Sequence, residues 1–384
     1  MAISRYTIQI DESVLEDLKF RLDRVRWPEQ KQDEAWQRGT DLSYLKELVG
    51  YWQNEYDWKQ QEQALNQYNH YTCEVDGLPI HFIHEKAKTI GDKNAERPAI
   101  LFTHGWPDSF LRYTKIINIL TDPGSFGRNP EQAFDVIIPS VPGFGFSAAA
   151  AHPGYHNAKV ADLWHKLMTE QLGYEKFGAA GGDIGSGVTR YLAVQHPESL
   201  TGIHLTDIGI IRALLTAADD DLQPEEREYK KAAQQWISGE GGYMSIQSTK
   251  PQTLAYALSD SPVGLAAWII EKFRSWSDCN GDLETKFSKD ELLTNIMIYW
   301  INNNIGSTAH MYYDNMHTLP PMQPISVPTA LAIFPGDILP PPRDWAAQSL
   351  NIVRWTAMTA GGHFTAMEEP RAYADDVRAF FLSI

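Results

Sequence analysis

The chain is 384 residues long and carries a formal net charge of -16. Hydrophobic residues make up 43% of it, which is enough to bury the core of one large α/β domain with an insertion. The acidic excess opposes binding to a phosphate backbone, which requires concentrated lysine and arginine. The composition therefore argues against nucleic acid as a partner.

Cysteine usage and the N-terminal sequence bear on the cellular compartment. Cys73 and Cys279 lack the paired spacing of a zinc site, so we expect no metal and no cofactor. The N-terminus lacks the apolar core of a signal peptide, and no run approaches the ~20 apolar residues that a membrane span needs. We expect a cytoplasmic protein with no membrane partner, and a homodimer stays open as its oligomeric state.

Apolar residues recur at helical spacing in the first part of the chain. Residues 11–26 carry Val14, Leu18 and Leu22 on one face and stop before Pro28. Two further amphipathic stretches follow, one from residue 41 and one over 55–68. The pattern predicts an N-terminal helical segment over residues 1–70 that packs on the core.

From residue 71 the pattern changes to that of strands. Residues 71–75 and 78–85 flank Asp76 and Gly77, a hairpin signal. Continuous apolar runs alternate with helices, which predicts an α/β fold with a mostly parallel, doubly wound sheet. The core covers residues 71–210 and 326–384, and its apolar runs lie at 99–105, 134–141, 177–182, 200–207, 330–336 and 351–358.

The alternation of strands and helices breaks between residues 211 and 325. Helical periodicity with charged stretches replaces it, most clearly at 224–236, 264–275 and 290–300, and a proline cluster at 320–324 marks the return to the core. We predict a helical lid over residues 211–325, inserted after the sixth major strand.

The segment FGAAGGDIGSGVTR, residues 177–190, holds the most informative chemical signal. A buried strand, a glycine-rich bend and a helix follow one another, which is typical of a nucleophile elbow. The central residue is Asp183 rather than serine. A carboxylate that attacks a saturated carbon forms an alkyl ester that water can hydrolyse, whereas a serine would form an ether. A plainer interpretation, an N-cap aspartate in an ordinary loop, also fits this segment alone.

Three other strand ends carry candidate partners, because reactive groups gather at the carboxyl ends of parallel strands. The backbone N–H of Trp106, with that of Ile184, would form an oxyanion hole. Asp337 and His363 follow the last two strands, and the order Asp183, Asp337, His363 matches nucleophile, acid and histidine in α/β-hydrolases. His363 would activate water, and Asp337 would orient the imidazole.

Lid tyrosines are candidates for the general acid. The leaving group on a saturated carbon decides whether an acid is needed, because a halide leaves unaided whereas an epoxide oxygen needs a proton. Tyrosine, with a reference pKa of ~10, stays protonated at neutral pH and can supply that proton. Tyr243 lies in one lid segment, and Tyr312 and Tyr313 lie together in another. An apolar substrate pocket is expected, with Phe110, Phe144 and Trp268 as its lining residues.

Six motifs resemble those of the epoxide hydrolases of the α/β-hydrolase fold, in the branch of the microsomal enzyme. The stretch 51–68 is also similar to that branch's N-terminal domain, so the resemblance spans nearly the whole chain. The motifs are HGWPDSF (104–110), PGFGFS (142–147), GGDIGS (181–186), SDSPVGLAAWIIEKF (259–273), FPGD (334–337) and GGHFTAMEEP (361–370).

The resemblance implies a soluble microbial enzyme that opens a small apolar epoxide with water to a vicinal diol, with xenobiotic detoxification as its role. By position it implies Asp183 as nucleophile, His363 as base and Asp337 as charge-relay acid. It implies Tyr243 and Tyr312 as the pair that protonates the epoxide oxygen, with Tyr313 as an alternative to Tyr312.

Two other functions are weighed against this one. A haloalkane or haloacid dehalogenase shares the aspartate elbow. In the dehalogenase pattern, a tryptophan directly after the nucleophile binds the halide with its indole N–H, and this chain has Ile184 at that position. Trp106 could still supply one donor. A non-catalytic binding protein of the same fold would lack part of the triad, and all three positions are filled here.

Overall fold

The computed structural model describes residues 3–31, 35–88 and 98–384. Residue 1, where the predicted N-terminal segment begins, and the stretches 32–34 and 89–97 within the predicted segments lie outside the described residues. The strands are β1 (Ser4–Arg5), β2 (His70–Val75), β3 (Leu78–Glu85), β4 (Ala99–Thr103), β5 (Asp135–Pro139), β6 (Phe177–Gly181), β7 (Leu200–Leu205), β8 (Ile325–Ile333) and β9 (Leu350–Ala357).

Helices cover much of the remaining chain. The α-helices are α1 (Glu12–Leu22), α2 (Leu42–Asn54), α3 (Trp58–Leu65), α4 (Thr114–Thr121), α5 (Asn157–Lys166), α6 (Ile184–Gln195), α7 (Arg212–Thr216), α8 (Pro224–Glu240), α9 (Gly242–Thr249), α10 (Pro251–Asp260), α11 (Pro262–Trp276), α12 (Lys289–Ile301), α13 (Ile305–His317), α14 (Arg343–Ala346), α15 (Thr365–Glu368) and α16 (Pro370–Phe381). Shorter helical turns lie at Phe110–Tyr113, Pro123–Phe126, Pro130–Gln132, Leu167–Gln171, Pro197–Ser199, Asp219–Asp221 and Leu283–Thr285.

One sheet of nine strands forms within the described residues, in the order β1-β2-β3-β5-β4-β6-β7-β8-β9. The first four strands in this order pair antiparallel, and from β5 to β9 every pair is parallel. Strands β4, β5 and β6 are buried along their whole length, because helices cover both faces of the sheet. The predicted mostly parallel α/β sheet is confirmed.

The hairpin between β2 and β3 turns at the predicted residues. Asp76 and Gly77 have φ values of 51° and 79°, as a two-residue hairpin turn with matching twist requires. Val75 pairs with Leu78 across it. The two-residue strand β1, which the sequence pattern did not reveal, extends the same antiparallel edge by pairing with β2.

The three N-terminal helices begin at aspartate caps. The carboxylates of Asp11, Asp41 and Asp57 accept backbone N–H bonds of the first turns of α1, α2 and α3. Helix α1 contacts α11, α2 contacts both α11 and α12, and α3 contacts α12. The sequence prediction of packing on the core omitted this contact with the lid, which only the tertiary structure reveals.

Helices α7 to α13 lie between β7 and β8 and form a layer over the carboxyl ends of the strands. Helices α9, α10 and α13 were not predicted individually, and α9 and α13 carry Tyr243 and Tyr312. In the part of the chain that the structure describes, no single helix is long and apolar enough to cross a membrane. The pair α10 and α11 passes such a test only jointly, and it bends by 117°.

Candidate active site

The turn from β6 into α6 is a strained elbow centred on Asp183. Its φ of 58° and ψ of -126° lie in a region that non-glycine residues rarely occupy. A side chain on Gly185 would place its Cβ 1.8 Å from the carbonyl oxygen of Thr103, so only glycine fits there. The Asp183 carboxylate accepts no bond from the N–H groups of the second and third residues of α6, which an N-cap side chain binds. It is therefore presented at the sheet edge, and the N-cap interpretation is excluded.

Backbone donors converge on the Asp183 carboxylate. The N–H of Trp106 donates to Asp183 Oδ1 at 2.8 Å, and the N–H of Ile184 also bonds to this carboxylate. Burial raises the pKa of Asp183, but hydrogen bonding and charge from His363 and the two N–H donors outweigh it, so the pKa lies below its usual value. The predicted oxyanion residues thus lie at the carbonyl that water would attack.

His363 joins the two aspartates. Its Nδ1 donates to Asp337 Oδ1 at 2.8 Å, and its Nε2 lies 3.5 Å from Asp183 Oδ2. Burial lowers the pKa of His363, but the charge of Asp337, the hydrogen bond to it and the nearby Asp183 carboxylate raise it to about 10. The structure therefore brings the three predicted triad residues together, with the imidazole charged while Asp183 is a free carboxylate.

Tyr243 and Tyr312 face the carboxylate from the lid. Their rings lie 5.9 Å apart at 78°, and the indole of Trp106 stacks on Tyr243. Burial, and then nearby negative charge including that of Asp183, raise the pKa of both phenols, which keeps them protonated. Tyr313 is 41% exposed and stacks on His317. Its ring does not line the cavity around Asp183, so Tyr312 is the second lid tyrosine.

A cavity of about 520 Å³ connects these groups. Its lining combines the triad and the lid tyrosines with apolar side chains, three asparagine or serine residues and two arginines. The lining residues are Asn157, Asp183, Ile184, Gly187, Arg190, Asp207, Ile208, Gly209, Ile210, Arg212, Trp236, Tyr243, Met244, Ser248, Tyr312, Asn315, Met316, Leu319, Asp337, Ile338, Leu339 and His363.

The predicted substrate-binding residues Phe110, Phe144 and Trp268 do not line this cavity, and that prediction was wrong. Phe110 is fully buried against His81 and Phe146 in the core, and Phe144 packs on buried rings beneath the site. Trp268 lines a separate groove between α11 and the N-terminal segment. Aromatic character alone does not separate core residues from pocket residues.

Asp207 is a site residue that the sequence analysis missed. The N–H of Asp183 donates to its Oδ2 at 2.7 Å, and the N–H of Gly209 donates to Oδ1 at 3.0 Å. Burial and the charge of Asp337 raise the pKa of Asp207 to about 6. The available signal was an acidic residue at the end of the strand run 200–207, and a similar position at a strand end selected Asp337.

A buried ion pair, also missed, supports the histidine loop. Arg112 Nε donates to Asp108, and both side chains are fully buried. Arg112 Nη1 donates to the carbonyl of His363 at 3.0 Å, and Asp108 accepts the N–H of Gly105 at 2.9 Å. The pair thereby connects the loop of the oxyanion donor with the loop of the base. No sequence pattern distinguished these two charges from surface residues of a helix.

One group in the described part of the chain has the spacing of metal ligands, and it lies outside the catalytic cavity. His165, His196 and Glu198 offer ligand atoms within 4.8 Å of one another near the C-terminal ends of α5 and α6. His196 is hydrogen-bonded to Asp162, and its ring stacks on that of His165. These residues do not contact the triad.

The fold and this geometry define a hydrolase of the α/β-hydrolase fold with an aspartate at the nucleophile elbow. Two family models match the chain, "Epoxide hydrolase N terminus" over residues 3–113 and "alpha/beta hydrolase fold" over residues 98–320. Epoxide hydrolase 1 of Sus scrofa is 36% identical over 408 residues, covering 99% of this chain and 88% of that protein. The chain belongs to the epoxide hydrolase family, and the predicted family and enzyme class are confirmed.

Solved structures agree with this assignment. The juvenile hormone epoxide hydrolase of the silkworm Bombyx mori superimposes with a TM-score of 0.90 at 28% identity, covering 100% of this chain and 94% of that one. The Aspergillus niger epoxide hydrolase gives a TM-score of 0.87 at 26% identity, covering 100% and 97%. The similarity therefore includes the N-terminal segment and the lid as well as the sheet.

Proposed function

We propose that this epoxide hydrolase forms a covalent alkyl ester on Asp183 and releases a vicinal diol when water, activated by His363, hydrolyses that ester. The observation that carries the proposal is the position of the Asp183 carboxylate. It lies between the Trp106 N–H and His363 on one side and the cavity below the lid tyrosines on the other. Such a carboxylate can attack a carbon whose oxygen is held from the lid.

In the first step, Asp183 attacks one epoxide carbon and the C–O bond of the ring breaks. The oxygen takes a proton from the pair Tyr243 and Tyr312, whose hydroxyls lie together and are kept neutral by burial. Esterification removes the negative charge of Asp183. His363 then loses one of the two carboxylates that raise its pKa, and its proton can pass to the tyrosinate.

In the second step, neutral His363 accepts a proton from water as the water attacks the ester carbonyl. The N–H groups of Trp106 and Ile184 hold the resulting oxyanion, since they already bond to this carboxylate. The diol oxygen leaves with the proton from His363, and the new Asp183 carboxyl group returns a proton to the imidazole. Asp337 stabilises the imidazolium throughout, through its bond to Nδ1.

The substrate side of the cavity supports an epoxide with an apolar body. Ile208, Met244, Leu319 and Leu339 line it, and the carboxylates lie at the end where the bond is cleaved. The dehalogenase alternative gains no support, because the residue after Asp183 is isoleucine and the Trp106 side chain does not line the cavity. Cytoplasmic location, a detoxification role for this chain and a homodimer stay predictions from sequence.

The proposal is tested by trapping the ester. His363→Gln removes the base that the first step does not use, so mixing this variant with styrene oxide adds one substrate mass to the intact protein. Diol turnover falls by about 10² to 10⁴-fold. Peptide mapping locates the added mass on Asp183, and the double variant His363→Gln with Asp183→Asn gains no mass. Diol formation without any adduct in the single variant would mean that water attacks the epoxide directly.

A further inference from the structure

The inner face of α6 leads from the nucleophile to an arginine. Gly187 and Arg190 lie three residues apart on one face of α6, Asp183 directly precedes this helix, and all three line the catalytic cavity. Seven residues correspond to about 10 Å along a helix axis. Gly187 contributes no side chain, and the Asn157 amide lies over it. We call the part of the cavity between carboxylate and guanidinium, with Asn157 in its wall, the trough.

The Arg190 guanidinium has no anionic partner in the described structure. It makes no ion pair and no hydrogen bond with any described residue, and its Nε is sealed from solvent without an acceptor. Burial lowers the pKa of Arg190, and the charge of Asp207 only partly offsets this from a distance. An arginine fork that is partly desolvated and unpaired inside a ligand cavity favours an incoming oxyanion.

Two other donors border the same trough. The Asn157 Nδ2 group lies so close over Gly187 that a Cβ there would be 2.0 Å from it, and this nitrogen bonds to no described protein acceptor. Asn157 is fixed from its other side, because its Oδ1 accepts from Asn315 Nδ2 at 3.0 Å. Arg212, which is exposed at the edge of the cavity, contacts the sulfur of Met316. The carboxylates of the cavity belong to its catalytic end, so the two ends differ in charge.

We propose that Arg190 is a specificity-determining residue that binds a carboxylate at the far end of the substrate, so that the enzyme favours epoxides of carboxylic acids over neutral epoxides. The inference rests on the proposed function, since it places the epoxide at Asp183. An apolar chain spans the trough between the two polar ends. Asn157 donates to the substrate near its middle or to the carboxylate itself.

The test compares two substrates that differ only in charge. One is a straight-chain acid whose carboxylate and terminal epoxide lie about 10 Å apart, the distance set by the helix, and the other is its methyl ester. We expect the wild-type kcat/KM to be at least about tenfold higher for the acid, the range of a charge-assisted bond. Arg190→Gln should bring this ratio close to one, and Arg190→Lys should restore part of it.

Arg227→Gln is the matched control, because Arg227 lies on α8 and contacts the carbonyl of Asp219 outside the cavity. Its acid-to-ester ratio should equal that of wild type. The saturated acid should also inhibit wild-type enzyme competitively, and its methyl ester should not, which tests the site without any variant. An equal wild-type rate on acid and ester, or a preference retained in Arg190→Gln, overturns the inference. Failure to form diol from either substrate would instead overturn the proposed function.

Discussion

At the scale of single residues, Asp183 combines a strained backbone with a carboxylate that is already held by donors. A non-glycine residue in this region costs on the order of 1 to 3 kcal/mol. Hydrogen bonds oppose that cost, because the Asp183 N–H donates to Asp207 and the carboxylate accepts from Trp106. The strain keeps the carboxylate out of α6 and free to react, which an ordinary N-cap would not allow.

The two lid tyrosines are expected to share the work of protonating the epoxide oxygen. Because both phenols line the cavity beside Asp183, either can still donate when the other is replaced by phenylalanine. Tyr243→Phe and Tyr312→Phe should each retain measurable diol formation, with a loss on the order of 10²-fold, typical of one missing donor. The double variant should lose ring opening altogether, measured as ester formation in single turnover.

Tyr313→Phe is the control for these variants, since this ring is 41% exposed and lies outside the cavity. Its rate should equal that of wild type within error. Full activity in the double variant would mean that the proton comes from another group.

At the scale of elements, the close approach of β4, β6 and α6 requires glycine at the elbow. A Cβ on Gly185 would lie 1.8 Å from Thr103 O, and one on Gly181 would lie 2.3 Å from the carbonyl oxygen of Gly185. Both clashes involve backbone, which cannot rotate away. The same close backbone packing therefore fixes both the start of α6 and the catalytic turn.

Gly185→Ala should lower the free energy of unfolding by about 3 kcal/mol and abolish activity, because the elbow must open to admit the methyl group. Gly239→Ala is the matched change on α8, where a Cβ would meet nothing within 4 Å and the residue is exposed. It should stabilise the protein by about 0.5 to 1 kcal/mol through helix propensity. Urea unfolding of both variants measures these values, and equal stabilities would contradict the packing argument.

At the scale of the whole molecule, the catalytic charges are coupled to global stability. The folded pKa of His363 is raised to about 10, above the 6.5 of an unperturbed histidine. Between pH 6.5 and about 10 the folded state therefore keeps a proton on His363 that the unfolded chain has lost. The contribution of His363 to the free energy of unfolding is full below pH 6.5 and declines as pH rises toward 10. The lowered pKa of Asp183 acts at acid pH, outside this window.

We expect the difference in unfolding free energy between wild type and His363→Gln to shrink steadily from about pH 6.5 to about pH 10. Denaturant unfolding at several pH values measures it, with Arg227→Gln as a surface control whose difference from wild type stays constant. A difference independent of pH would show that the imidazole is neutral in the resting protein.

The N-terminal helices connect the lid to the rest of the molecule. Helices α1 and α2 contact α11, and the Tyr51 hydroxyl on α2 donates to Asp290 on α12 at 2.9 Å. The lid is thus held between the N-terminal segment and the sheet. The family model "Epoxide hydrolase N terminus" matches residues 3–113, which include these helices. This segment supports the lid that covers the active site.

The mostly parallel sheet, the elbow and the order of the triad could be predicted from the sequence. These features depend on local patterns, namely apolar runs, a glycine-rich turn around Asp183, and acidic and histidine residues at strand ends. The hairpin at Asp76 and Gly77 is equally local, because a two-residue turn demands residues that tolerate positive φ.

The identity of the side chains that surround the substrate depends on tertiary contacts. Phe110 and Phe144 are buried in the core and Trp268 lines the groove beside the N-terminal segment, so none of these aromatic residues lies in the cavity. Asp207 shares the strand-end position of Asp337, but its bond to the Asp183 N–H is visible only in the structure, as is the lack of a partner for Arg190 among the described residues. Local sequence patterns determine where strands, helices and turns form. Contacts between segments distant in sequence determine which side chains of these elements lie together, and a pocket is defined by such contacts.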